Sequence, residues 1–148
     1  MRCDEIMKKD VECISPDDAV GNATKIMRDR NVGFLPVCDE SKRVLGALTD
    51  RDVALRMVAA DKPSSTPVRV IMTRDCVTCR PEDDIETAQK LMAEHRKSRM
   101  ICVDASGSVV GVLSLSDIAQ HESGERASQT LREISKRESK AAEVRPSP

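Results

Sequence analysis

Apolar residues recur at helical spacing over Val20, Ala23, Ile26 and Met27, and again over Ile85, Ala88, Leu91 and Met92. Each set is one face of an amphipathic helix. Around the first helix the chain alternates short apolar runs with polar punctuation. Val11–Ile14 is expected to be a strand ended by Ser15-Pro16, with Ser15 capping the helix, Pro16 in its first turn and Asp18 three residues past the cap. Asn31-Val32-Gly33 is expected to stop the helix. Phe34–Cys38 and Val44–Leu48 read as buried strands joined by the polar turn Asp39–Arg43, which Asp104–Ser108 matches further on. A second helix is expected from about Asp50, with Val53, Leu55, Met57 and Val58 as its apolar positions. The predicted order is β-α-β-β-α.

The pattern occurs twice. Shifting the sequence by 65 residues aligns Ile6–Ala54 with Ile71–Ala119 without a gap, and about 15 of the 49 positions are then identical. Ile6/Ile71, Met7/Met72, Pro16/Pro81, Gly46/Gly111, Leu48/Leu113 and Asp52/Asp117 are among them. One βαββα unit has a small sheet and little core of its own, so two copies are expected to pack sheet against sheet about a pseudo-twofold axis. The fold class is therefore mixed α/β (α+β). Residues 1–60 form the first repeat, 61–67 a Pro/Ser/Thr-rich linker and 68–122 the second repeat. A charged C-terminal helix over 123–138 is expected next, with Ala127, Leu131 and Ile134 on one face, and then a disordered tail over 139–148. The clefts at the seam between the copies are the expected ligand sites.

Composition removes several classes of function. Lys+Arg and Asp+Glu number 24 and 25, a formal net charge of −1, which lacks the basic excess of a nucleic-acid binder. One Phe, no Tyr and no Trp leave nothing on which to stack exposed bases. Apolar runs fall short of the roughly 20 residues of a membrane span, and the first residues lack the apolar stretch of a signal peptide. Six cysteines are then read as reduced thiols, and the expected location is cytoplasmic.

The candidate chemistry recurs where the third strand of each copy meets its last helix. Copy one has Gly46-Ala47-Leu48-Thr49-Asp50-Arg51-Asp52, and copy two has Gly111-Val112-Leu113-Ser114-Leu115-Ser116-Asp117. Free N–H groups at such a helix start favour phosphate, and a carboxylate one turn on can accept both hydrogens of a ribose diol. The same Thr/Ser-x-x-Asp spacing also fits a capping box that needs no ligand. Both readings can hold for one residue in different states.

A tandem βαββα unit ending in Gly-hydrophobic-hydrophobic-Thr/Ser-x-x-Asp resembles the cystathionine β-synthase (CBS) domain pair, or Bateman module, over about Ile6–His121. The resemblance implies a regulatory, non-enzymatic module that binds an adenosine-containing nucleotide such as AMP, ADP or ATP between its copies, requires no cofactor, and signals to a partner protein. It further implies a homodimer, while the composition above already argues against a nucleic-acid or membrane partner. Ribose would be held by Ser114 and Asp117, and by Thr49 and Asp52. Arg99 occupies the place of a phosphate-binding Arg in AMP-binding members, and a planar guanidinium suits phosphate. Ser116 would add a hydroxyl, Val112 and Ala47 would line the sites, and the base would lie near Cys13, Val32 and Gly33. Copy one departs from the pattern, with Phe34 where copy two has Arg99; Lys97, Ser98 and Thr78 are the expected substitutes there.

Rival readings are fewer. A ligand-free scaffold with the motif serving only as helix caps is the main alternative. Cys76-Val77-Thr78-Cys79 has the spacing of a zinc or thiol sensor, but on a strand its two cysteines face opposite ways. Cys38 and Cys102 read as core and Cys3 as the exposed thiol. His95 and His121 read as solvated, and the methionines as core filler.

Overall fold

In each copy the helix that the periodicity marks is present: α2 spans Val20–Arg30 and α5 spans Ile85–His95. Both are stopped by a left-handed residue, Asn31 (φ 52°) and Arg96 (φ 54°). A computed structural model describes residues 1–121 and 124–144, with side chains as far as Lys136. Its elements in chain order are α1 (Cys3–Ile6), α2, β1 (Phe34–Cys38), β2 (Val44–Thr49) and α3 (Asp50–Asp52), which runs into a π-helical stretch, Val53–Val58. Then come α4 (Val68–Ile71), β3 (Thr78–Cys79), α5, β4 (Arg99–Val103), β5 (Val109–Ser114), α6 (Leu115–His121) and α7 (Gly124–Val144).

Three sequence expectations change. The strand over Val11–Ile14 shrinks to a single parallel bridge between Ile14 and Val37. Ser15 and Asp18 close a turn before α2 instead of capping it: Asp18 Oδ2 accepts from the Ser15 N–H at 2.9 Å, and α2 starts only at Val20. Pro16 follows directly, and a residue before proline is steered to extended backbone, which delays the helix. The charged helix α7 continues to Val144, past residue 138 where the tail was expected. No Gly or Pro falls between Glu125 and Arg145, so nothing in the backbone chemistry breaks it. Residues 145–148 of that expected tail lie outside the described residues.

The chain condenses into two compact units that cut across its sequence copies. Unit one is Met1–Lys9, Val77–Cys102 and Gly111 onward; unit two is Asp10–Cys76 and Val103–Val110. The leading segment of each copy is thus fastened into the unit built mainly from the other copy. In unit one the Cys3 N–H donates to Asp83 O and the Asp4 N–H to Pro81 O, while the Ile85 N–H donates to Met1 O. Lys8 and Val112 exchange backbone bonds at 2.9 Å. Unit two repeats the scheme 65 residues on: Val68 to Asp18, Arg69 to Pro16, Val20 to Thr66, and Thr73 with Ala47.

Unit two holds the antiparallel pair β1–β2, in register Phe34 to Thr49 and Leu35 to Leu48. Ile14, Val20, Ala23, Met27, Leu35, Val37, Leu48, Val68 and Ile71 form its core. Gly46 is needed there, because a Cβ would stand 2.5 Å from the Thr73 carbonyl oxygen and push the Ala47–Thr73 bridge apart. Unit one holds the sheet β3-β4-β5, with β3 on its edge and parallel to β4. Ile85, Met92, Met100, Ile101, Leu113 and Ile118 are buried in it. Helix α7 packs on α5 and α6 through Ala127, Thr130 and Ile134, whereas Leu131 is 54% exposed. The buried stripe therefore runs through Thr130 instead of Leu131; the Thr130 hydroxyl is satisfied by the Arg126 carbonyl at 3.0 Å. Among the described residues no helix is long and apolar enough to cross a membrane.

Two expected outcomes follow for stability. Ile134→Ala should cost about 2–4 kcal/mol, visible as a lower thermal midpoint, while Leu131→Ala should stay within about 0.5 kcal/mol. Gly46→Ala should cost about 1–3 kcal/mol through overpacking, and amide exchange at Thr73 should report the opened bridge.

Candidate functional site

β2 ends at Thr49 and the chain turns at once into α3, which puts a hydroxyl and a carboxylate one turn apart. The Thr49 hydroxyl accepts from the Asp52 N–H at 3.1 Å, and Asp52 Oδ2 accepts from the Thr49 N–H at 3.0 Å. The Thr73 hydroxyl then donates to both carboxylate oxygens, at 3.0 and 3.1 Å. Arg56, presented by the π-helical stretch, brings Nε to 3.7 Å from Oδ1 while its guanidinium reaches the Ile71 and Met72 carbonyls. Asp52 is only 7% exposed. It accepts two hydrogens from its own chain, the Thr49 N–H and the one Thr73 hydroxyl proton shared between its oxygens.

The matching group in unit one is more open. Asp117 Oδ2 accepts from the Ser114 N–H at 3.1 Å, and the Asp117 N–H donates to Ser114 Oγ at 3.0 Å. Oδ1 faces the Lys8 ammonium at 4.0 Å, and the Asp117 side chain is 13% exposed. Lys8 stands 65 positions before Thr73, so an exposed, mobile cation replaces a fixed hydroxyl donor. His121, matched with Arg56, puts Nδ1 at 2.9 Å from the Asp117 carbonyl oxygen and leaves the carboxylate alone.

The helix starts offer fewer N–H groups than their spacing suggests. The Asp50 N–H donates to Gly33 O at 3.0 Å, Arg51 N–H to Asp50 Oδ1 at 2.9 Å, and Asp52 N–H to Thr49. In unit one the Leu115 N–H donates to Ser98 O at 2.8 Å and Asp117 N–H to Ser114. Each of these N–H groups is thus taken by an acceptor of its own chain.

Unit one gathers Thr78, Lys97, Ser98, Arg99, Val112, Ser114, Ser116 and Asp117. Arg99 and Ser116 are exposed, the others half-buried. The Leu115–Ser98 bond places Arg99, the first residue of β4, next to the Ser114 end of β5. Unit two gathers Cys13, Val32, Gly33, Ala47, Thr49 and Asp52. Cys13 is half-buried, and the Cys38 thiol hydrogen-bonded to it holds it down at about 7. Burial opposes that shift and the Lys42 ammonium assists it. Cys38 is pushed up correspondingly, first by the bond to Cys13 and then by burial. Cys3 is fully buried rather than exposed, because its segment is tied into the core of unit one. Cys76 Sγ lies 3.5 Å from the Thr73 carbonyl oxygen while Cys79 is buried. Among the described residues no group of three or more His, Cys, Asp or Glu has the geometry to hold a metal ion.

Sequence reasoning passed over Lys8, Thr73 and Arg56, and read His121 only as solvated. The signal was present in the duplication itself: Lys8/Thr73 and Arg56/His121 are matched pairs of unlike chemistry beside a matched Asp.

The family model described as the CBS domain matches the chain twice, at residues 3–59 and 68–124. A CBS domain-containing protein of Bacillus subtilis is 36% identical over 132 residues, covering 88% of this chain and 93% of its own. The CBS domain pair of protein MJ0100, crystallised with 5′-methylthioadenosine and S-adenosyl-L-methionine, superposes with a TM-score of 0.74 at 25% identity, over 81% of this chain and 98% of its own. Hypoxic response protein I, solved with two coordinated zinc ions, gives 0.75 at 26% identity, over 83% and 100%. With two CBS matches spanning most of its length and a mixed α/β duplication of the same architecture, the chain belongs to the CBS domain family.

Proposed function

We propose that this chain is a regulatory module that binds an adenosine-containing nucleotide, and that Ser114 and Asp117 of unit one hold its ribose. The observation that carries the reading is the state of the two matched carboxylates. Asp52 already receives Thr73 on both oxygens, whereas Asp117 keeps Oδ1 turned toward an exposed Lys8 at 4.0 Å. A ribose diol needs a carboxylate oxygen with free lone pairs, so the Asp117 site is the better one. Arg99, exposed beside Ser114, would take phosphate as a fixed, permanently charged fork. Lys8 would be displaced from the carboxylate or recruited to the phosphate. A related CBS pair holds two adenosyl compounds, which supports the ligand class. Thr49 and Asp52 would form a weaker second site, open only when Thr73 releases the carboxylate. The ligand would change affinity for a partner protein, or for a second copy of the chain, to the extent that it favours one conformation.

A second reading is favoured by the completed reciprocal bonds at both helix starts: the motif serves as a cap and no ligand binds. One set of melts separates the two. At a ligand concentration about a hundred times Kd, stabilisation of about 2.7 kcal/mol is expected; AMP, ADP, ATP or S-adenosylmethionine should thus raise the midpoint by several degrees. Asp117→Ala should lower the unliganded midpoint through about 1 kcal/mol of lost capping and also abolish the ligand shift. Asp52→Ala should keep the shift. If no adenosyl compound moves the wild-type midpoint at millimolar concentration while Asp117→Ala still lowers it, the cap reading stands alone.

The Cys13 thiol is open to a separate test. With its thiol held at about 7, about half is thiolate at neutral pH. Alkylation should be fastest at Cys13 and should fall about tenfold per unit as pH drops below 6.

A further inference from the structure

A second group of thiols, Cys3, Cys79 and Cys102, belongs to unit one. Cys79 on β3 and Cys102 on β4 are direct partners in the parallel ladder. Their Sγ atoms are 3.1 Å apart. Cys3 of α1 hydrogen-bonds to Cys79, and all three thiols are buried.

Packing does not demand sulfur at these positions. The residues matched to Cys79 and Cys102 in the other copy are Ile14 and Val37. They make the same parallel bridge and are equally buried. Adjacent strands lie about 4.8 Å apart, inside the Cα separation that a disulfide spans. The two sulfurs need to close by only about 1 Å to reach bonding distance. The β3 strand is two residues long and sits on the sheet edge, so a local opening of low cost exposes Cys79.

We propose that Cys79 and Cys102 are an oxidation site, which a hydroperoxide converts to a cross-strand disulfide within unit one. Cys79 loses its proton to water and attacks the outer oxygen of the peroxide. The O–O bond breaks, hydroxide or alkoxide leaves and takes up a proton, and Cys79 becomes a sulfenic acid. The sulfur of Cys102 then attacks the sulfenic sulfur. The S–S bond forms, the S–O bond breaks, and hydroxide departs as water with the Cys102 proton. One peroxide is reduced and two thiols are oxidised, two electrons in all.

The environment sets the rate. The bond with Cys102 and burial push the Cys79 thiol up to about 12, against the opposing effect of Cys3. The pair is therefore protonated at neutral pH and reacts slowly, because only the thiolate attacks. Half-buried Cys13, held at about 7, is the fast thiol of the chain. The Cys79–Cys102 bond forms under sustained oxidant.

The test is hydrogen peroxide treatment of the native chain at pH 7 and pH 9, quenching with N-ethylmaleimide, and peptide mapping without reductant. A Cys79–Cys102 link is expected, with a rate rising about tenfold per pH unit. Cys102→Val copies the matched Val37 and should fold without forming the link; Cys79→Ile copies Ile14 and serves if it does not. The proposal is overturned if both thiols remain alkylatable after Cys13 has been consumed. A link to Cys3 in place of Cys102, or a link that forms only in denaturant, overturns it equally.

Discussion

The backbone ladders that hold the leading segment of each repeat are the constraint on which the rest depends. Thr73 trades bonds with Ala47, and Lys8 with Val112, at 2.8–2.9 Å. These are not peripheral contacts. They fix a side chain in each unit that addresses the motif carboxylate, Thr73 over Asp52 and Lys8 beside Asp117. They also explain why Gly46 cannot carry a side chain, since its Cα lies where the incoming strand must pass. A main-chain hydrogen bond is worth only about 1 kcal/mol net, yet several in register leave these segments no alternative path.

The backbone scheme is the same in both units, and the chemistry differs through single residues laid upon it. Where unit two has a neutral hydroxyl and a guanidinium near its carboxylate, unit one has a flexible ammonium and an imidazole bound to a carbonyl. Where unit two opens its strand with Phe34, unit one opens with Arg99. Duplication supplies a fixed geometry, and point differences give the two matched acids different neighbours. The thiols follow the same logic: Ile14 and Val37 fill the slot that Cys79 and Cys102 fill in the other copy.

Most of the architecture was legible in the sequence because the duplication has no gap and the two helical faces are clean. Phe34–Cys38 was placed to the residue. The first strand was not, because three apolar residues among the four of Val11–Ile14 say nothing about whether a neighbour offers more than one bridge. The helix boundary at Ser15 failed for a related reason, since a capping pattern before proline also describes a closed turn. At the site, the hydroxyl–carboxylate pairs were legible from spacing. The partners that decide their state were not, for Lys8 and Thr73 are contributed by segments far away in sequence. Cys3 failed on the same ground: its place near the chain start suggested exposure, and its segment is sealed into a core.

That sealing has a consequence for any shorter version of the molecule. A chain carrying a single repeat would have its leading segment with no sheet edge of its own to occupy, and would have to lend it to a second molecule in return for that molecule's segment. Such a protein would be a swapped pair whose integrity depends on concentration. Carrying both repeats on one chain turns that bimolecular trade into an internal one. Duplication on one chain thus makes an exchanged assembly independent of dilution.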